Sequence, residues 1–277
     1  MSVAGGLFNA PESAAKLACD CVQVFTKNNN QWAAKPILPD DAQRFVNAVE
    51  TAKLAATLSH ASYLINMGSP DDTLWQKSVD AMIVEVERAG QLQIPWVVVH
   101  PGSYTTSTPE LGIERVIQGL QQVRKRQSSE AAGILLENTA GQGTNLGWDF
   151  QQLAAMLDGC SSPDWLGICL DTCHAFAAGY AIDGISGWKR MLADIDGSFG
   201  FDSLKALHLN DSKRPCGSRV DRHEHIGLGH IGEEGFRRVL RSRKMGHLPM
   251  YLETPKAAID GEEGDARNLR VLRELAK

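Results

Sequence analysis

The strongest constraint on the fold is a unit that recurs along the chain. Each unit has a short aliphatic run, a polar or titratable residue beside Gly, Pro, Asn or Ser, and a longer stretch with helical periodicity. The runs are CVQVFTKN (21–28), ATLSHASYL (56–64), PWVVVHPGS (95–103), GILLENTAG (133–141), GICLDTCHA (167–175), KALHLNDS (205–212) and PMYLETP (249–255). Strands that alternate with helices form parallel sheets. The pattern therefore predicts an α/β protein.

The segment at positions 70–93, PDDTLWQKSVDAMIVEVERAGQLQ, shows the helical half of the unit most clearly. Apolar side chains recur at helical spacing after an acidic first turn, at Leu74, Val79, Met82, Ile83 and Val86. This pattern is typical of an amphipathic helix that covers one face of a sheet.

In six of the seven runs a His, Asp or Glu follows the aliphatic part directly. These residues are His60, His100, Glu137, Asp171, His208 and Glu253. In a parallel barrel the carboxyl ends of all strands open on one face, so the six side chains would converge. An open doubly wound sheet would place them along an edge and would usually carry a Gly-rich fingerprint after its first strand, which this sequence lacks. We therefore predict a (β/α)8 barrel. Only seven strands are recognised, because the start, MSVAGGL, is too short for a complete first strand.

Composition narrows the class of protein further. The 277 residues contain no low-complexity segment or linker, so a single domain over residues 1–277 is expected. No apolar stretch approaches the roughly 20 residues of a membrane span, the first residues do not form a leader, and the six Cys form no CxxC pair. A cytoplasmic protein with free thiols and no membrane partner is the prediction. The net charge of -5 argues against coating nucleic acid through global charge.

The convergent residues have the chemistry of a metal centre. Two further pairs, Asp171 with His174 in DTCH and Asp221 with His223 in DRH, place oxygen and nitrogen donors close together in sequence. Mixed nitrogen and carboxylate donors favour Zn²⁺ over Mg²⁺ or Ca²⁺, and nine candidate ligands suit two or three ions. Four carboxylates contribute -4 and three divalent ions would contribute +6. Such a site would attract an anion, and phosphodiester hydrolysis is the leading chemistry.

Seven motifs, in order, resemble those of the endonuclease IV family of apurinic/apyrimidinic (AP) endonucleases. They are SHASYLIN, HPGS, LENTAGQG, CLDTCHAFAAGY, HLNDSK, GSRVDRHEHIG and LETP, and the resemblance covers essentially the whole chain. It implies a xylose isomerase-like TIM barrel that repairs DNA by hydrolysing the phosphodiester 5' to an abasic site in duplex DNA. The products would be a 3'-hydroxyl and a 5'-deoxyribose phosphate. Family members begin with a strand ending in a Gly-Ala-His-Val-Ser type sequence. Met1 falls within that motif, so the first strand is expected to be truncated.

The resemblance also implies a ligand set for three Zn²⁺ ions, with Mn²⁺ able to replace some of them. His60, His100 and Glu137 resemble the ligands of the first ion. Glu137 would bridge to a second ion held by Asp171, His208 and Glu253, while His174, Asp221 and His223 would hold the third. Glu137 would thus be catalytic by orienting the hydroxide that attacks phosphorus.

Other matching segments concern DNA. Asn30 and Gln31 lie in TKNNNQW, which resembles a loop that approaches the minor groove, and some relatives carry Arg where this chain has Asn30. Tyr63 and Leu64 resemble the pair that fills the gap left by a swung-out abasic nucleotide. Lys213, Arg219 and Arg222 are expected to contact the DNA backbone. We expect a monomer acting on duplex DNA that contains abasic sites.

Two alternatives remain at this point. A divalent-metal sugar isomerase or epimerase would share the barrel, but such enzymes use fewer, carboxylate-rich ligands and no DNA loop. A barrel that binds damaged DNA without catalysis is disfavoured by the complete ligand set. His225, His230 and His247 are interpreted as surface or loop histidines, and Cys173 as a packing residue.

Overall fold

Every predicted aliphatic run contains a strand in the computed structural model, which describes residues 1–161 and 163–277. These strands are β1 (Cys21–Val24), β2 (Ala56–His60), β3 (Trp96–Val99), β4 (Gly133–Glu137), β5 (Leu166–Asp171), β6 (Leu204–His208) and β9 (Met250–Tyr251). Two short strands, β7 (Asp211–Ser212) and β8 (His223–Glu224), form an antiparallel pair. Among the described residues no strand precedes β1.

Helices follow the strands as the alternation predicts. They are α1 (Asn9–Lys16), α2 (Pro39–Thr51), α3 (Asp72–Gln91), α4 (Pro109–Arg126), α5 (Phe150–Gly159), α6 (Thr172–Ala178), α7 (Ile185–Asp196), α8 (Gly232–Leu240) and α9 (Gly264–Ala276). The helix predicted within 70–93 is α3. It begins where Asp71 Oδ1 accepts a hydrogen bond from the Leu74 amide at 2.8 Å, which satisfies one of the free N–H groups of the first turn.

Contacts divide the chain into two compact units. Unit 1 comprises Met1–Leu136 and Met156–Gly167, and unit 2 comprises Glu137–Ala155 and Ile168–Lys277. In unit 1 the strand order is β1-β2-β3-β4, with every neighbouring pair parallel. In unit 2 the order is β5-β6-β9, again parallel. A single domain over residues 1–277 stays a prediction.

The strand interiors form the core of each unit. Val97 and Val98 of β3 are fully buried in unit 1, as are Ile168 of β5 and Leu207 of β6 in unit 2. Parallel strands that are covered on both faces need near-continuous apolar runs, which explains why β3, β4 and β5 lack polar alternation. In these three strands the titratable residue follows the apolar run, whereas β2 also buries Thr57 and Ser59.

The structure also bears on the predicted free thiols and on membrane-spanning helices. All six cysteines are free thiols, as predicted. None of the helices in the described residues combines the length and apolar content that crossing a membrane requires.

Candidate metal centre

Four buried or half-buried donors form what we call the inner cluster in unit 2: Glu137, Asp171, His208 and Glu253. Glu137, Asp171 and His208 are the last residues of β4, β5 and β6, and Glu253 lies two residues beyond β9. The register of the sheet pairs Asp171 with His208 and pairs His208 with Tyr251. Parallel pairing thus brings together residues that are far apart in sequence.

Within the inner cluster, the three carboxylates all lie close to the one imidazole of His208. His208 Nδ1 lies 2.9 Å from Glu137 Oε1, 3.3 Å from Glu253 Oε2 and 4.0 Å from Asp171 Oδ2. One donor atom from each of the four residues falls within 4.8 Å of all the others. Three carboxylates therefore converge on a single imidazole.

A second group in unit 2, the outer cluster, consists of His174, Asp221 and His223. Asp221 Oδ2 lies 3.3 Å from His174 Nε2, and Asp221 Oδ1 lies 3.3 Å from His223 Nε2. The two imidazole rings are 5.4 Å apart between centroids. His174 occupies α6, whose first turn is capped by Asp171: the Asp171 Oδ1 atom accepts a hydrogen bond from the His174 amide at 2.7 Å. Asp171 thereby connects the outer cluster to the inner one.

Backbone carbonyls orient the imidazoles of the outer cluster. His174 Nδ1 lies 2.9 Å from the Asn138 carbonyl oxygen, and His223 Nδ1 lies 3.1 Å from the Glu253 carbonyl oxygen. An Nδ1–H that donates to a carbonyl leaves the Nε2 lone pair free for a metal. In both histidines Nε2 is the atom that faces Asp221.

The charges in the two clusters raise histidine pKa values strongly. Burial by itself lowers the pKa of His174, but the Asp171 charge and hydrogen bonds with Asp221 and Glu137 raise it well above its usual value. Burial likewise lowers the pKa of His208, and Cys169, Glu253 and Glu137 more than reverse the effect. Without another cation, the carboxylates would require protons on these rings.

The residues fit divalent cations. His223 Nε2 is buried and has no hydrogen-bond partner among the described residues, although Asp221 Oδ1 and Asp171 Oδ2 face it at 3.3 and 3.7 Å. A buried ring nitrogen that faces two carboxylates without a hydrogen bond is a suitable metal donor. Both clusters are therefore candidate metal sites, as the sequence predicts.

The loop that carries Asp221 and His223 is held by a buried carboxylate outside the clusters. Asp211 accepts hydrogen bonds from the backbone amides of Ser212, Gly227, Gly229 and Ile231, at 2.7 to 3.1 Å. A Cβ added at Gly229 would lie 2.4 Å from Asp211 Oδ1, so this close approach needs glycine. Asp211 was not among the residues predicted from the sequence.

In unit 1 the structure brings His60 and His100 together. Their rings are 5.6 Å apart in an edge-on arrangement, and the His60 side chain is almost fully buried at the end of β2. The turn after His100 depends on Gly102, which has φ +110° and whose added Cβ would lie 2.3 Å from Asn66 Oδ1. That Asn66 oxygen accepts a hydrogen bond from the Ser103 amide at 2.8 Å. These two histidines, which the sequence predicts to be ligands of one ion, therefore lie at the ends of adjacent strands.

Comparison with known proteins places the chain. A family model described as a xylose isomerase-like TIM barrel matches residues 11–275. The probable endonuclease 4 of Geobacter sp. (strain M21) is 43% identical over 275 residues, covering 99% of this chain and 96% of that protein. The probable endonuclease 4 of Chloroflexus aurantiacus (strain ATCC 29366 / DSM 635 / J-10-fl) is 42% identical over 277 residues, covering 100% and 96%. The chain belongs to the endonuclease IV family.

A solved structure supports the same assignment. Endonuclease IV from Thermus thermophilus superposes with a TM-score of 0.86 at 35% sequence identity, covering 99% of this chain and 96% of that chain. The predicted α/β barrel class is therefore confirmed. A D-tagatose 3-epimerase-like protein also superposes, with a TM-score of 0.73 at 18% identity, covering 98% of this chain and 93% of that one. At this identity the likeness shows the fold alone.

The residues that the endonuclease IV resemblance connects with DNA lie at the surface. In unit 1, Asn30 and Gln31 are exposed, Leu64 is half-buried and Tyr63 is 52% exposed. The Tyr63 ring packs 5.2 Å from that of His60 and 5.7 Å from that of Phe25, between centroids. A large aromatic side chain held by neighbouring rings and half open to solvent can stack on a nucleic acid.

In unit 2 the basic candidates Lys213, Arg219 and Arg222 are all exposed. The Arg219 guanidinium lies 3.8 Å from the centroid of the Trp148 ring, which restricts its position. Lys213 and Arg222 line a cavity of about 650 Å³ together with Arg214, His230 and Glu224. These positive charges lie on the same loop as two candidate metal ligands.

Several residues around the clusters escaped the sequence analysis. Asn210 Nδ2 donates to Asp171 Oδ2 at 2.6 Å and Asn210 Oδ1 accepts from the Glu253 amide at 2.8 Å, while Asn138 Oδ1 accepts from the Asp171 amide at 2.6 Å. Their signal in the sequence is an Asn one or two residues after a strand-end ligand, as in LENT and HLND. These amides hold the carboxylates in place.

Two interpretations need correction or extension. His225 is a loop residue but is buried rather than at the surface, and Asn268 Nδ2 lies 3.1 Å from its Nδ1. Cys173 is buried, as the packing interpretation requires, and its Sγ contacts the Arg222 carbonyl oxygen at 3.7 Å. However, Cys173 also groups with Asp221 and His223 within 4.8 Å. Burial raises the pKa of Cys173 to about 12, so without a bound cation its thiol stays protonated.

Proposed function

We propose that this chain is a DNA repair endonuclease of base excision repair that hydrolyses the phosphodiester 5' to an abasic site in duplex DNA. The observation that carries the proposal is the convergence of donors in the inner and outer clusters of a chain that belongs to the endonuclease IV family. Hydrolysis on that side leaves a 3'-hydroxyl and a 5'-deoxyribose phosphate.

We assign three divalent ions to the nine candidate ligands. His60, His100 and Glu137 would hold the first, Glu137, Asp171, His208 and Glu253 the second, and His174, Asp221 and His223 the third. Mixed imidazole and carboxylate donors favour Zn²⁺, with Mn²⁺ able to replace it at some positions. Ions held by these residues would activate water for attack on phosphorus and neutralise the departing 3'-oxygen.

The chain's own residues supply position and charge. Glu137 is fully buried and 2.9 Å from His208 Nδ1, so its carboxylate has one fixed orientation from which to orient the attacking water. Asn210 and Asn138 fix Asp171 on both sides. Because these groups are preset by hydrogen bonds, little reorganisation is needed when the phosphodiester enters.

Recognition would depend on the exposed residues. We assign to Tyr63 and Leu64 the filling of the gap left by the extruded abasic nucleotide. Extrusion costs little because the missing base has no stacking or pairing to lose. Asn30 and Gln31 would approach the minor groove, and Lys213, Arg219 and Arg222 would bind phosphates without reading sequence.

A monomeric, cytoplasmic enzyme fits these observations. One chain supplies all nine candidate ligands, and six free thiols suit a reducing compartment. The sugar isomerase or epimerase alternative rests on likeness of fold alone, since the epimerase-like structure is 18% identical.

The test is incision by the zinc-loaded chain of a labelled duplex that contains one tetrahydrofuran abasic analogue. We expect a single cut on the 5' side, with a product that a polymerase can extend because it ends in a 3'-hydroxyl. An intact duplex of the same sequence is the control. Failure to cut the abasic duplex, or epimerisation of a ketohexose by the same preparation, would reject the proposal.

A further inference from the structure

Two buried charged side chains on one helix of unit 1 hold two surface loops together. Loop A comprises residues 25–38, between β1 and α2, and loop B comprises residues 61–71, between β2 and α3. Loop A carries Asn30 and Gln31, and loop B carries Tyr63 and Leu64. Glu85 and Arg88, which lie one turn apart on α3, contact these loops.

Glu85 divides its carboxylate between the two loops. The side chain is 1% exposed; its Oε1 accepts a hydrogen bond from the Ser62 amide of loop B at 3.0 Å, and its Oε2 accepts one from the Thr26 hydroxyl of loop A at 3.3 Å. The Lys27 ammonium of loop A lies 3.5 Å from Oε1. A buried carboxylate must be paired in this way, so neither loop can move without leaving it unsatisfied.

Arg88 holds both ends of loop A. Its Nε donates to the Thr26 hydroxyl at 3.3 Å and its Nη1 donates to the Lys35 carbonyl oxygen at 2.6 Å. Its Nη2 donates to the Thr26 carbonyl oxygen. The described side-chain hydrogen bonds of Glu85 and Arg88 all end on loop A or loop B, so these two side chains act on loop conformation and not on the strands.

Ser62 joins the loops directly, next to the candidate DNA contacts. Its hydroxyl donates to the Asn29 carbonyl oxygen at 2.7 Å and accepts from the Leu64 amide at 3.3 Å. The backbone beside Asn30 is thereby tied to the backbone beside Tyr63.

We infer that Glu85 and Arg88 are positioning residues that, through Ser62, fix loops A and B in one arrangement so that both engage abasic DNA as a unit. The inference rests on the proposed function and deepens it, because it assigns selectivity for abasic over intact duplex to the coupling of two loops. Loops held in advance lose less conformational entropy on binding.

Two variants test the coupling. Glu85→Gln removes the charge opposite Lys27 and Arg88, and Ser62→Ala removes only the hydroxyl, which keeps the test informative should Glu85→Gln fold poorly. We expect each to reduce the ratio of Kd for intact duplex to Kd for tetrahydrofuran duplex by about three- to tenfold, the effect of one lost hydrogen bond. KM should rise more than kcat falls, and metal content should stay unchanged.

Glu87→Gln is the matched control. It makes the same carboxylate-to-amide change on the same helix, but Glu87 accepts from the Ser128 hydroxyl at 2.7 Å and makes no hydrogen bond or ion pair with either loop in the described structure. Its Kd ratio should equal that of the unmodified chain.

A double-mutant cycle separates coupling from mere stabilisation. Asn30→Ala and Tyr63→Ala, measured as Kd for the tetrahydrofuran duplex, should be non-additive in the unmodified chain and additive in the Ser62→Ala background, since contacts that share a rigid support interact energetically. Unchanged Kd ratios in both variants, or non-additivity that persists with Ser62→Ala, would overturn the inference. Absence of incision by the unmodified chain would instead reject the proposed function, so the two failures are distinguishable.

Discussion

Glu137 in unit 2 and Glu85 in unit 1 are both glutamates with essentially no exposed surface, yet their surroundings differ in kind. Glu85 has permanently charged partners, Lys27 and Arg88. Glu137 faces imidazoles, with His208 Nδ1 at 2.9 Å and His174 Nδ1 at 3.4 Å, and further carboxylates lie beside them. The comparison teaches that the partners of a buried carboxylate, and not its burial, distinguish one that holds structure from one suited to bind a cation.

The largest effect should come from exchanging Glu137 for its amide, and the same exchange at Glu85 provides the comparison. Glu137→Gln removes a charge from the candidate metal centre, so incision should fall by more than about 100-fold, beyond what loss of an outer-shell partner causes. Glu85→Gln should leave metal content intact. Elemental analysis and incision rates of the two variants check this, and equal metal loss in both would remove the distinction between the glutamates.

Asn210→Ala should produce the next largest effect. The Asn210 amide fixes Asp171 Oδ2 and the Glu253 backbone, so its loss should weaken metal binding by about 10- to 100-fold without removing any ligand. Competition against a chelator of known affinity measures the change. Unaltered metal affinity would show that the inner cluster holds its geometry without this amide.

In loop B, which Glu85 holds, Tyr63→Ala should reduce the binding preference for abasic over intact duplex about tenfold, the size of one lost stacking contact. Tyr63→Phe keeps the ring and should retain most of the preference. Binding titrations with both duplexes decide the matter. Equal preference in the Ala variant would contradict a stacking role.

In the metal-free protein, protonation of His174 and His208 should stabilise the fold. The pKa values of His174 and His208 are raised above the unfolded value of 6.5, so their stabilisation is complete below that pH and is lost as pH rises through the raised values. The metal-free chain should therefore unfold at a lower Tm at pH 8.5 than at pH 6. Zinc should reduce this difference, since bound ligands are already deprotonated. Calorimetry with and without chelator tests it, and a Tm that rises with pH in the metal-free chain would refute it.

The smallest effect concerns a surface charge. The logarithm of the DNA-binding constant falls linearly with the logarithm of the salt concentration. Arg219→Ala should make this negative slope shallower by about 0.9, the value for one lost phosphate contact. The control is Arg190→Ala, because Arg190 is an exposed residue of α7 that pairs with Asp194. An identical slope in both variants would exclude Arg219 from the DNA contacts.

Much of the candidate metal centre could be predicted because its residues occupy strand ends. His60, Glu137, Asp171 and His208 terminate their strands as the aliphatic runs indicate. Asp221 and His223 were harder to place, since Asp221 lies on a long loop and His223 begins the short strand after it. Their spacing in DRH marked them as possible donors, but only the family motif grouped them with His174. Asp211, which holds that loop through four backbone amides, gave no signal beyond its place after HLN.

Glu85 illustrates a signal that the sequence carries but periodicity hides. It lies on the same helical stripe as Met82, Val86 and Ala89, all fully buried, so a charge there breaks an apolar face. Such a break indicates a buried pair but not its partners. Thr26, Lys35 and Ser62 come from two loops whose paths no local pattern specifies.

The sequence by itself determined the alternation of strands and helices, the strand ends that carry titratable residues, and the family. These follow from local periodicity and from motifs, which need no knowledge of distant contacts. Only the tertiary structure decided which carboxylates share an imidazole, which nitrogen of each histidine faces the cluster, and which buried groups hold the loops. Hydrogen bonds and charge pairs act over a few ångströms, so they depend on side-chain positions that chain folding alone brings within reach.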